Sequence, residues 1–202
     1  MIEQLFCNLD DKSIVYRFVS ELFQVCTYFL IDKEKIIIVD PGKLNDEVYN
    51  WLKHYNTLNK IIYITHEHFD HHFDVNKLLK NTNTKVYIQS EEFKNAINNC
   101  RTNISYYYNM PIETKCNNLS KKNYFEIIST PGHSKFSYCF KYKNIVFGGD
   151  TIIEKKYLVF KLPGGNKNDF NKSVGDLNKT FDSNTIVLPG HGDLFFFNEW
   201  TI

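Results

Sequence analysis

Short apolar stretches rich in β-branched and aromatic residues recur along the chain and predict strands. Near the start, residues 13–19, 24–31 and 35–40 have this composition and are separated by charged turns. Residues 45–55 follow a different period, because their apolar side chains recur three or four positions apart and two acidic residues stand in the first turn. This segment is therefore predicted to be a helix.

The same two patterns alternate through the rest of the chain, whereas residues 101–123 are polar and predict no regular element. Further strands are predicted at residues 60–65, 84–89, 124–129, 137–142, 144–149 and 185–188, and further helices at residues 74–81, 90–99 and 169–181. Because strands and helices mix throughout, we expect an α/β fold in which helices cover the outer faces of β-sheets. No Pro/Gly/Ser-rich linker interrupts residues 1–202, so we expect a single domain.

Composition and charge argue against several classes of function. The 202 residues include 24 basic and 23 acidic side chains, so we expect no nucleic acid or anionic membrane as partner, but a small-molecule substrate. Charged residues interrupt the N-terminus where a signal peptide would need an apolar run, and no stretch approaches the roughly 18 apolar residues of a membrane span. The odd number of cysteines, without paired spacing, predicts reduced, mostly buried thiols in a cytoplasmic protein. They are Cys7, Cys26, Cys100, Cys116 and Cys139.

The sequence ITHEHFDHHFD, residues 64–74, contains four of the seven histidines of the chain. It follows a predicted strand, so His66 and His68 are expected on extended chain, where alternate side chains point the same way. Asp70 and His71 stand where the next helix should begin, and the turn into that helix brings them towards the first pair. Imidazole and carboxylate ligands suit borderline divalent metals, zinc above all.

An incidental surface tract is the alternative interpretation of this cluster. His72 fits that interpretation best, because it directly follows His71 and is expected to point elsewhere. His54, within the helix predicted at residues 45–55, is expected to be an ordinary surface or boundary residue.

Three further strand ends favour a metal site. His133 in STPGHS, Asp150 in VFGGDT and His191 in VLPGHGD each follow a predicted strand directly. Glycine lets the backbone turn closely at these points, although Pro-Gly and Gly-Gly are also ordinary turn signals. If these strands end at one edge, seven potential ligands meet there, which is too many for one zinc ion and suitable for two. The seven are His66, His68, Asp70, His71, His133, Asp150 and His191.

The pattern His-x-His-x-Asp-His, followed by a His, an Asp and a last His, resembles the metallo-β-lactamase-fold superfamily. The similarity runs from VDPG, which contains Asp40, to PGHG, which contains His191. This resemblance implies a four-layer αββα sandwich with metals at one edge. It also implies that His66, His68 and His133 bind one metal, that Asp70, His71 and His191 bind the second, that Asp150 bridges both, and that Asp40 orients the ligands from outside.

Metal-assisted hydrolysis is the reaction that the resemblance implies, with two divalent metal ions, zinc by preference and iron or manganese as alternatives. Two metals sharing a hydroxide provide a nucleophile at neutral pH and a Lewis acid, and Asp70 is the expected catalytic residue for proton transfer. Asp150 stands where β-lactamases of this fold have Cys or Ser, which argues against that branch. The motifs THEHFDH, TPGHS, GGDT, LPGG and VLPGHG instead resemble the compact glyoxalase II-like branch, so thioesters or other activated esters are the expected substrates.

Other chemistries of the same fold stay open. A mononuclear iron persulfide dioxygenase would use His66, His133 and Asp150 as a two-His-one-carboxylate triad. Lactonase or phosphoesterase activity, and a metal-stabilised binding module without catalysis, are further alternatives. The chain ends shortly after His191, without the C-terminal helical domain that binds glutathione in full-length glyoxalase II. A glutathione thioester is therefore not the expected substrate.

Two segments are candidates for contact with the substrate. The aromatic stretch SYYYNMP, residues 105–111, is expected to pack as a loop or boundary, with a substrate wall or lid as the alternative. Lys155, Lys156 and Lys161 could contact an anionic substrate, although a solvated loop is the simpler expectation.

Overall fold

Two β-sheets form the centre of the computed structural model, which describes residues 1–7, 13–32, 34–81, 83–116, 119–154 and 157–201. In these residues the first sheet has seven strands, paired in chain order: β1 (Ile2–Cys7), β2 (Ile14–Val19), β3 (Cys26–Ile31), β4 (Lys35–Val39), β5 (Asn59–Tyr63), β6 (Thr84–Tyr87) and β7 (Leu119–Ser120). The first four strands pair antiparallel, and the strands from β4 to β7 pair parallel.

The second sheet has the strand order β12-β11-β10-β9-β8. Its strands are β8 (Glu126–Ser129), β9 (Tyr138–Tyr142), β10 (Ile145–Gly149), β11 (Ile186–Pro189) and β12 (Phe195–Phe196). The neighbours β10 and β11 pair parallel, and the other neighbours pair antiparallel. This sheet therefore also combines both pairing modes, as expected where crossover connections join strands of one sheet.

Polar caps determine where most of the helices begin. The helices are α1 (Asp46–Lys53), α2 (Val75–Asn81), α3 (Glu91–Ile97) and α4 (Lys167–Thr180). The side chains of Asn45, Ser90 and Asn166 accept hydrogen bonds from backbone N–H groups in the first turns of α1, α3 and α4. The Asn166 cap explains why α4 begins two positions before residue 169, the predicted start.

Alternation along the strands turns one face of the first sheet to helices and the other to the second sheet. On β4, Ile36 and Ile38 belong to a buried cluster with Val48 of α1. Ile37, between them, belongs to a different cluster with Phe140 of β9. Burial of one such side chain contributes about 1.5–3 kcal/mol relative to exposure, so these two clusters fix which residues of β4 face which layer.

The outer face of the second sheet is covered by α4. Val146 of β10 and Val187 of β11 pack with Leu177 of α4 and with Phe181, which follows that helix. The layers are therefore helices, sheet, sheet and helix, and the predicted αββα sandwich is confirmed.

Three short or irregular strands and one turn were not predicted. The strands β1, β7 and β12 lie at sheet edges and each pair with one neighbour. A strand in that position can form without a clear pattern of apolar residues in its sequence. Residues 101–123 contain β7 and a 3₁₀ turn at Ser105–Tyr108.

The described thiols are free, with Cys26, Cys116 and Cys139 buried, as expected. Among the described residues, no helix is long and apolar enough to cross a bilayer.

Candidate metal centre

Five strand ends carry the candidate site. β4 leads into Asp40, β5 leads towards His66, β8 leads towards His133, β10 leads into Asp150, and β11 leads towards His191. The pairs β4–β5 and β10–β11 are parallel neighbours, so their carboxyl ends lie side by side. In α/β sheets, ligands bind outside these carboxyl ends.

The structure brings all seven predicted ligands together in three overlapping groups, in each of which the ligand atoms lie within 4.8 Å of one another. The groups are His66, His68 and His133; His66, His71 and Asp150; and Asp70, His71 and His191. We call the first group the histidine set and the third group the mixed set. The second group contains one residue of each set, His66 and His71, and so joins the two sets into one centre. Metal binding by these residues stays a prediction.

Asp150 lies between the two sets. Its Oδ1 is 3.4 Å from His71 Nε2, and its Oδ2 is 3.5 Å from His133 Nε2 and 3.6 Å from His191 Nε2. Two ligand atoms that are each about 2.1 Å from a tetrahedral zinc ion lie about 3.4 Å apart. The observed separations therefore match those of atoms that share an ion, and Asp150 reaches both sets.

Several buried polar atoms of the centre have no hydrogen-bond partner among the described residues. They include His66 Nε2, His71 Nε2 and Asp150 Oδ1. A buried polar atom without a partner costs about 1–3 kcal/mol, and native structures rarely leave several together. A divalent cation would supply the missing partner for each of them, so the ligand set fits such an ion.

Asp40 is not itself one of the candidate ligands, but it contacts His71 directly and His66 by way of Thr65. Its Oδ1 accepts a hydrogen bond from Thr65 N–H at 2.7 Å, and its Oδ2 accepts bonds from Thr65 Oγ1 at 2.6 Å and His71 Nδ1 at 2.9 Å. Thr65 Oγ1 in turn lies 3.1 Å from His66 Nδ1. Asp40 adopts a left-handed backbone (φ +51°), which is strained for a non-glycine residue and typical of functional sites. This network fixes the rings so that the Nε2 atoms face the centre.

Glu67 supports the histidine set and was not predicted from the sequence. It is fully buried, and its Oε2 accepts hydrogen bonds from Ser134 Oγ and from the N–H of Phe136, in the loop that follows His133. His133 Nδ1 also donates to the carbonyl of Val159 at 3.0 Å. The signal in the sequence was the alternation His-Glu-His on extended chain, which turns the carboxylate away from the imidazoles on either side.

His72 points away from the ligands, as expected, but its interpretation as part of a surface tract is wrong. The side chain is fully buried, with Nε2 bonded to the carbonyl of Glu67 at 3.0 Å and Nδ1 bonded to Thr114 Oγ1 at 2.6 Å. Burial lowers the pKa of His72 to about 4, so the ring is neutral at physiological pH. His54 is exposed at the end of α1, as predicted.

Burial and carboxylates act in opposite directions on the imidazoles. Burial, together with neighbouring histidines, lowers the pKa of His66 and of His68 well below the usual value. Burial also opposes protonation of His71, but the carboxylates of Asp150, Asp70 and Asp40 raise its pKa well above that value. The negative charge of these carboxylates favours a proton on His71, and a divalent cation would neutralise the same charge. Metals bind the neutral form of imidazole, so the cation would take the place of that proton.

A glycine brings the backbone of β11 close to this centre. A Cβ atom on Gly190 would lie 2.2 Å from Asp150 Oδ1 and 2.7 Å from His71 Cε1. Both distances are far shorter than a van der Waals contact, so a side chain at residue 190 would displace two candidate ligands. The last motif of the sequence, VLPGHGD, therefore requires glycine before His191 for close approach rather than only for a turn.

A cavity of about 440 Å³ opens onto the centre. Its floor includes His68, Asp70, His133, Asp150 and His191, and its walls include Val19, Phe23, Phe69, Ile104, Tyr108, Tyr157, Val159 and Leu162. Of the aromatic stretch at residues 105–111, Tyr108 lines the cavity. Lys161 is not among the lining residues, and Lys155 and Lys156 lie outside the described residues.

Comparison with known proteins identifies the family. The Metallo-beta-lactamase superfamily model matches residues 21–191. The probable metallo-hydrolase YqgX of Bacillus subtilis (strain 168) is 28% identical over 181 residues, which cover 84% of this chain and 85% of that protein. The chain belongs to the metallo-β-lactamase superfamily, and its His/Asp groups are candidate metal sites of that fold.

Solved structures agree on the fold. The crystal structure of BLEG-1 B3 metallo-beta-lactamase has a TM-score of 0.71 at 23% identity and covers 98% of this chain and 95% of its own. The crystal structure of TTHA1623 in a di-iron-bound form has a TM-score of 0.67 at 19% identity and covers 96% of this chain and 94% of its own. At these identities the likeness establishes the architecture alone.

Proposed function

We propose that this protein is a hydrolase that uses two divalent metal ions, zinc by preference, to cleave thioesters or other activated esters. The observation that carries the proposal is the convergence of two ligand sets, joined by Asp150, on the floor of one cavity. Hydrolysis is supported by the similarity to YqgX, itself named a probable metallo-hydrolase. The motifs of the glyoxalase II-like branch support ester rather than amide substrates.

Each set would hold one ion, and Asp150 would contact both. When bound, the ions supply an activated water at neutral pH and polarise the carbonyl oxygen of the substrate. The histidine and carboxylate ligands suit zinc. Iron is the alternative, because TTHA1623 was crystallised in a di-iron-bound form.

Asp70 is the residue that we propose for proton transfer. It lines the cavity, and its Oδ2 lies 3.8 Å from both His71 Nε2 and His191 Nε2. Its carboxylate would accept a proton from the attacking water and return it to the leaving group. In a thioester, a new C–O bond forms from water, the C–S bond breaks, and a carboxylic acid and a thiol are released.

The leaving group sets the expected order of substrates. A thiol has a pKa of about 8.5, so a thiolate departs readily from the tetrahedral intermediate. The nitrogen of a β-lactam is a much poorer leaving group, because it must be protonated as it departs, and in this proposal that proton has to come from Asp70. Thioesters and activated esters or lactones should therefore react faster than β-lactams.

The test combines elemental analysis with a substrate panel. Protein expressed without added metal should contain close to two metal ions per chain. It should hydrolyse an acyl thioester faster than a phosphodiester or nitrocefin, with S-lactoylglutathione and a lactone assayed in parallel. The His68→Ala protein, which lacks one ligand of the histidine set, should lose these activities and serves as the background control.

Two outcomes would contradict the proposal. One iron per chain without zinc would favour the persulfide dioxygenase alternative, with His66, His133 and Asp150 as the ligands. Efficient cleavage of nitrocefin or of the phosphodiester, with inert thioesters, would exclude thioester hydrolysis as the activity of this centre.

A further inference from the structure

Three aromatic rings stand together beside the candidate metal ligands. Phe69 lies between His68 and Asp70 in the sequence, and its ring centroid is 5.4 Å from that of Phe23 and 5.5 Å from that of Tyr108. The Phe23 and Tyr108 centroids are 5.3 Å apart, and both contacts of Phe23 are edge-to-face. We call these three residues the aromatic wall. They come from three separate segments, so only the folded chain brings them together, with Phe69 buried and with Phe23 and Tyr108 at least partly exposed.

Exposed apolar side chains concentrate at the same cavity. Nine large apolar side chains are exposed in the described residues, and four of them line this cavity. These four are Val19, Tyr108, Tyr157 and Val159, with exposed fractions of 36%, 44%, 37% and 39%. Single exposed apolar residues are ordinary, but a group around one opening marks a binding site. The cavity of about 440 Å³ has the size of a small-molecule site.

The wall is held in position by strained but well-bonded backbone. Phe23 and Ile104, in the two segments that present Phe23 and Tyr108, both have left-handed backbones, with φ of +60° and +63°. Bulky and β-branched residues rarely adopt this conformation. The turn around Phe23 is closed by a hydrogen bond from Ser20 N–H to the carbonyl of Val25 at 2.9 Å.

The second segment is bonded in the same way. Asn103 Nδ2 donates to the carbonyls of Ile97 and Ile112, at 2.9 and 2.6 Å, and so closes the loop that contains Tyr108. The carbonyl of Asn103 also accepts a hydrogen bond from Phe69 N–H at 2.9 Å, which links this loop to the ligand segment. Strain that the surroundings hold in this way is typical of ligand-contacting segments.

Charge around the wall disfavours an anionic substrate. The charged side chains that line the cavity, apart from the histidines, are the carboxylates of Asp70, Asp150 and Asp193, and Asp193 is paired with Arg17 at 3.1 Å. No Lys or Arg is found among the lining residues in the described part of the chain. A carboxylate or phosphate beside the wall would therefore lose water without finding an ion-pair partner among the described lining residues.

We propose that the substrate of this centre carries an uncharged, apolar acyl group, which packs against Phe23 and Tyr108, both held by contacts with the buried ring of Phe69, while the scissile carbonyl lies over the candidate metal ligands. This inference rests on the proposed hydrolase function. It narrows the expected substrates to neutral esters or thioesters of aliphatic or aromatic acids. Thioesters that join a short hydroxyacyl group to an anionic thiol are not expected to be substrates.

The first test varies the acyl chain while the leaving group stays constant. Acetyl, butyryl, hexanoyl and octanoyl thioesters of N-acetylcysteamine, a neutral thiol, should show kcat/KM rising by up to about fourfold for each added methylene. Tyr108→Ala and Phe23→Ala should flatten this dependence. Tyr107→Ala is the matched control, because Tyr107 belongs to the same turn, is 59% exposed and does not line the cavity. A wild-type kcat/KM that is independent of chain length would overturn the proposal.

The second test measures binding without turnover and so separates this inference from the hydrolase function. Alkyl hydroxamates of increasing chain length, titrated calorimetrically into the metal-loaded protein, should bind more tightly as the chain grows, and Tyr108→Ala should reduce that gain while Tyr107→Ala should not. Chain-dependent binding by a protein that hydrolyses no ester would contradict the hydrolase function and support the wall. Hydrolysis with chain-independent binding would contradict the wall alone. Tighter binding of a dicarboxylate-tailed hydroxamate than of the alkyl series would also overturn it.

Discussion

The two ligand sets of the centre differ in burial and in charge. The histidine set consists of imidazoles only, and each of its residues is at most 2% exposed. In the mixed set, the side chains of Asp70 and His191 are 15% and 13% exposed, and only His71 is fully buried. Three carboxylates raise the pKa of His71, whereas burial lowers the pKa of all three imidazoles of the histidine set.

This difference shows two ways of building a cation site from one sheet edge. The histidine set excludes water and holds neutral imidazoles in fixed positions, so little rearrangement is needed when a metal binds. Both sets border the cavity, but the mixed set supplies negative charge and is more exposed, so an ion there is more accessible to solvent and substrate. We expect the histidine set to retain its metal more tightly and the mixed set to exchange its metal faster.

The largest effect should follow loss of Asp150, the residue that lies between the two sets and reaches both of them. Asp150→Ala should lower the metal content below two ions per chain and reduce kcat/KM by more than about 100-fold, beyond the range for residues outside the coordination sphere. Elemental analysis after dialysis and steady-state kinetics measure both. Full loss of one ion with an unchanged affinity for the other would show that Asp150 serves only one set.

Removing one imidazole from each set tests the comparison directly. His68→Ala and His191→Ala should each bind one ion per chain, and the ion left in His68→Ala, which is held by the mixed set, should be removed by a chelator faster. The reason is the exposure of Asp70 and His191, which gives the chelator a path to that ion. Rates of metal release, followed with a chromogenic chelator, provide the measurement. Equal rates, or the reverse order, would refute the proposed difference in access.

The residues behind the ligands should have smaller effects, largest on the set that each of them contacts more directly. Asp40→Ala should weaken metal binding or activity by about 10–100-fold, because His71 Nδ1 loses its acceptor. Glu67→Gln keeps the volume but weakens the bonds from Ser134 and Phe136, so a loss within about tenfold is expected.

The effects of Asp40→Ala and Glu67→Gln on each ligand set can be measured separately in proteins that keep only one of the two sets. Asp40→Ala is introduced into His68→Ala, which keeps the mixed set, and Glu67→Gln is introduced into His191→Ala, which keeps the histidine set. Competition titrations then give the affinity of each set. If Glu67→Gln weakened the mixed set as strongly as Asp40→Ala does, Glu67 would not act through the loop of His133.

His72→Ala should affect stability rather than metal content. A residue of a surface tract, which the sequence suggested, would tolerate this change, but a fully buried ring with two hydrogen bonds contributes to folding. Loss of the ring leaves the carbonyl of Glu67 and the hydroxyl of Thr114 without their partner, which costs about 1–3 kcal/mol. Urea unfolding and elemental analysis check both parts. A loss of metal as large as in His68→Ala would mean that the ligands within the cluster are wrongly assigned.

The smallest effect is expected far from both sets. Gly175 lies inside α4, and a Cβ atom there would meet no atom within 4 Å apart from its chain neighbours and the nearby backbone of its own helix. Gly175→Ala should stabilise the protein by about 0.5–1 kcal/mol, since alanine is the better helix former. Metal content and release rates should match those of the wild type. Any change in them would mean that the folding stability of α4 is coupled to the metal centre.

The candidate ligands could be named from the sequence because they stand in short motifs at the ends of predicted strands. One such residue alone would be an ordinary turn residue, but imidazoles and carboxylates at several strand ends together favour a cation site. The residues that support the ligands could not be found in this way. Glu67 meets Ser134, and His72 meets Thr114, across long separations in sequence, and no local pattern identifies such a partner. The edge strands β1, β7 and β12 were missed for a related reason, since pairing rather than composition defines them.

The amino-acid sequence by itself determined the layers of the fold and the set of candidate ligands, because periodicity decides which side of a strand or helix is buried and because side-chain chemistry decides which atoms can bind a cation. Only the tertiary structure decided how these ligands divide into a histidine set that is almost fully buried and a mixed set that is partly exposed. It also decided that Phe23, Phe69 and Tyr108 form one wall. Burial, solvent access and contact between distant segments depend on how the sheets and loops pack, and packing is a property of the whole chain.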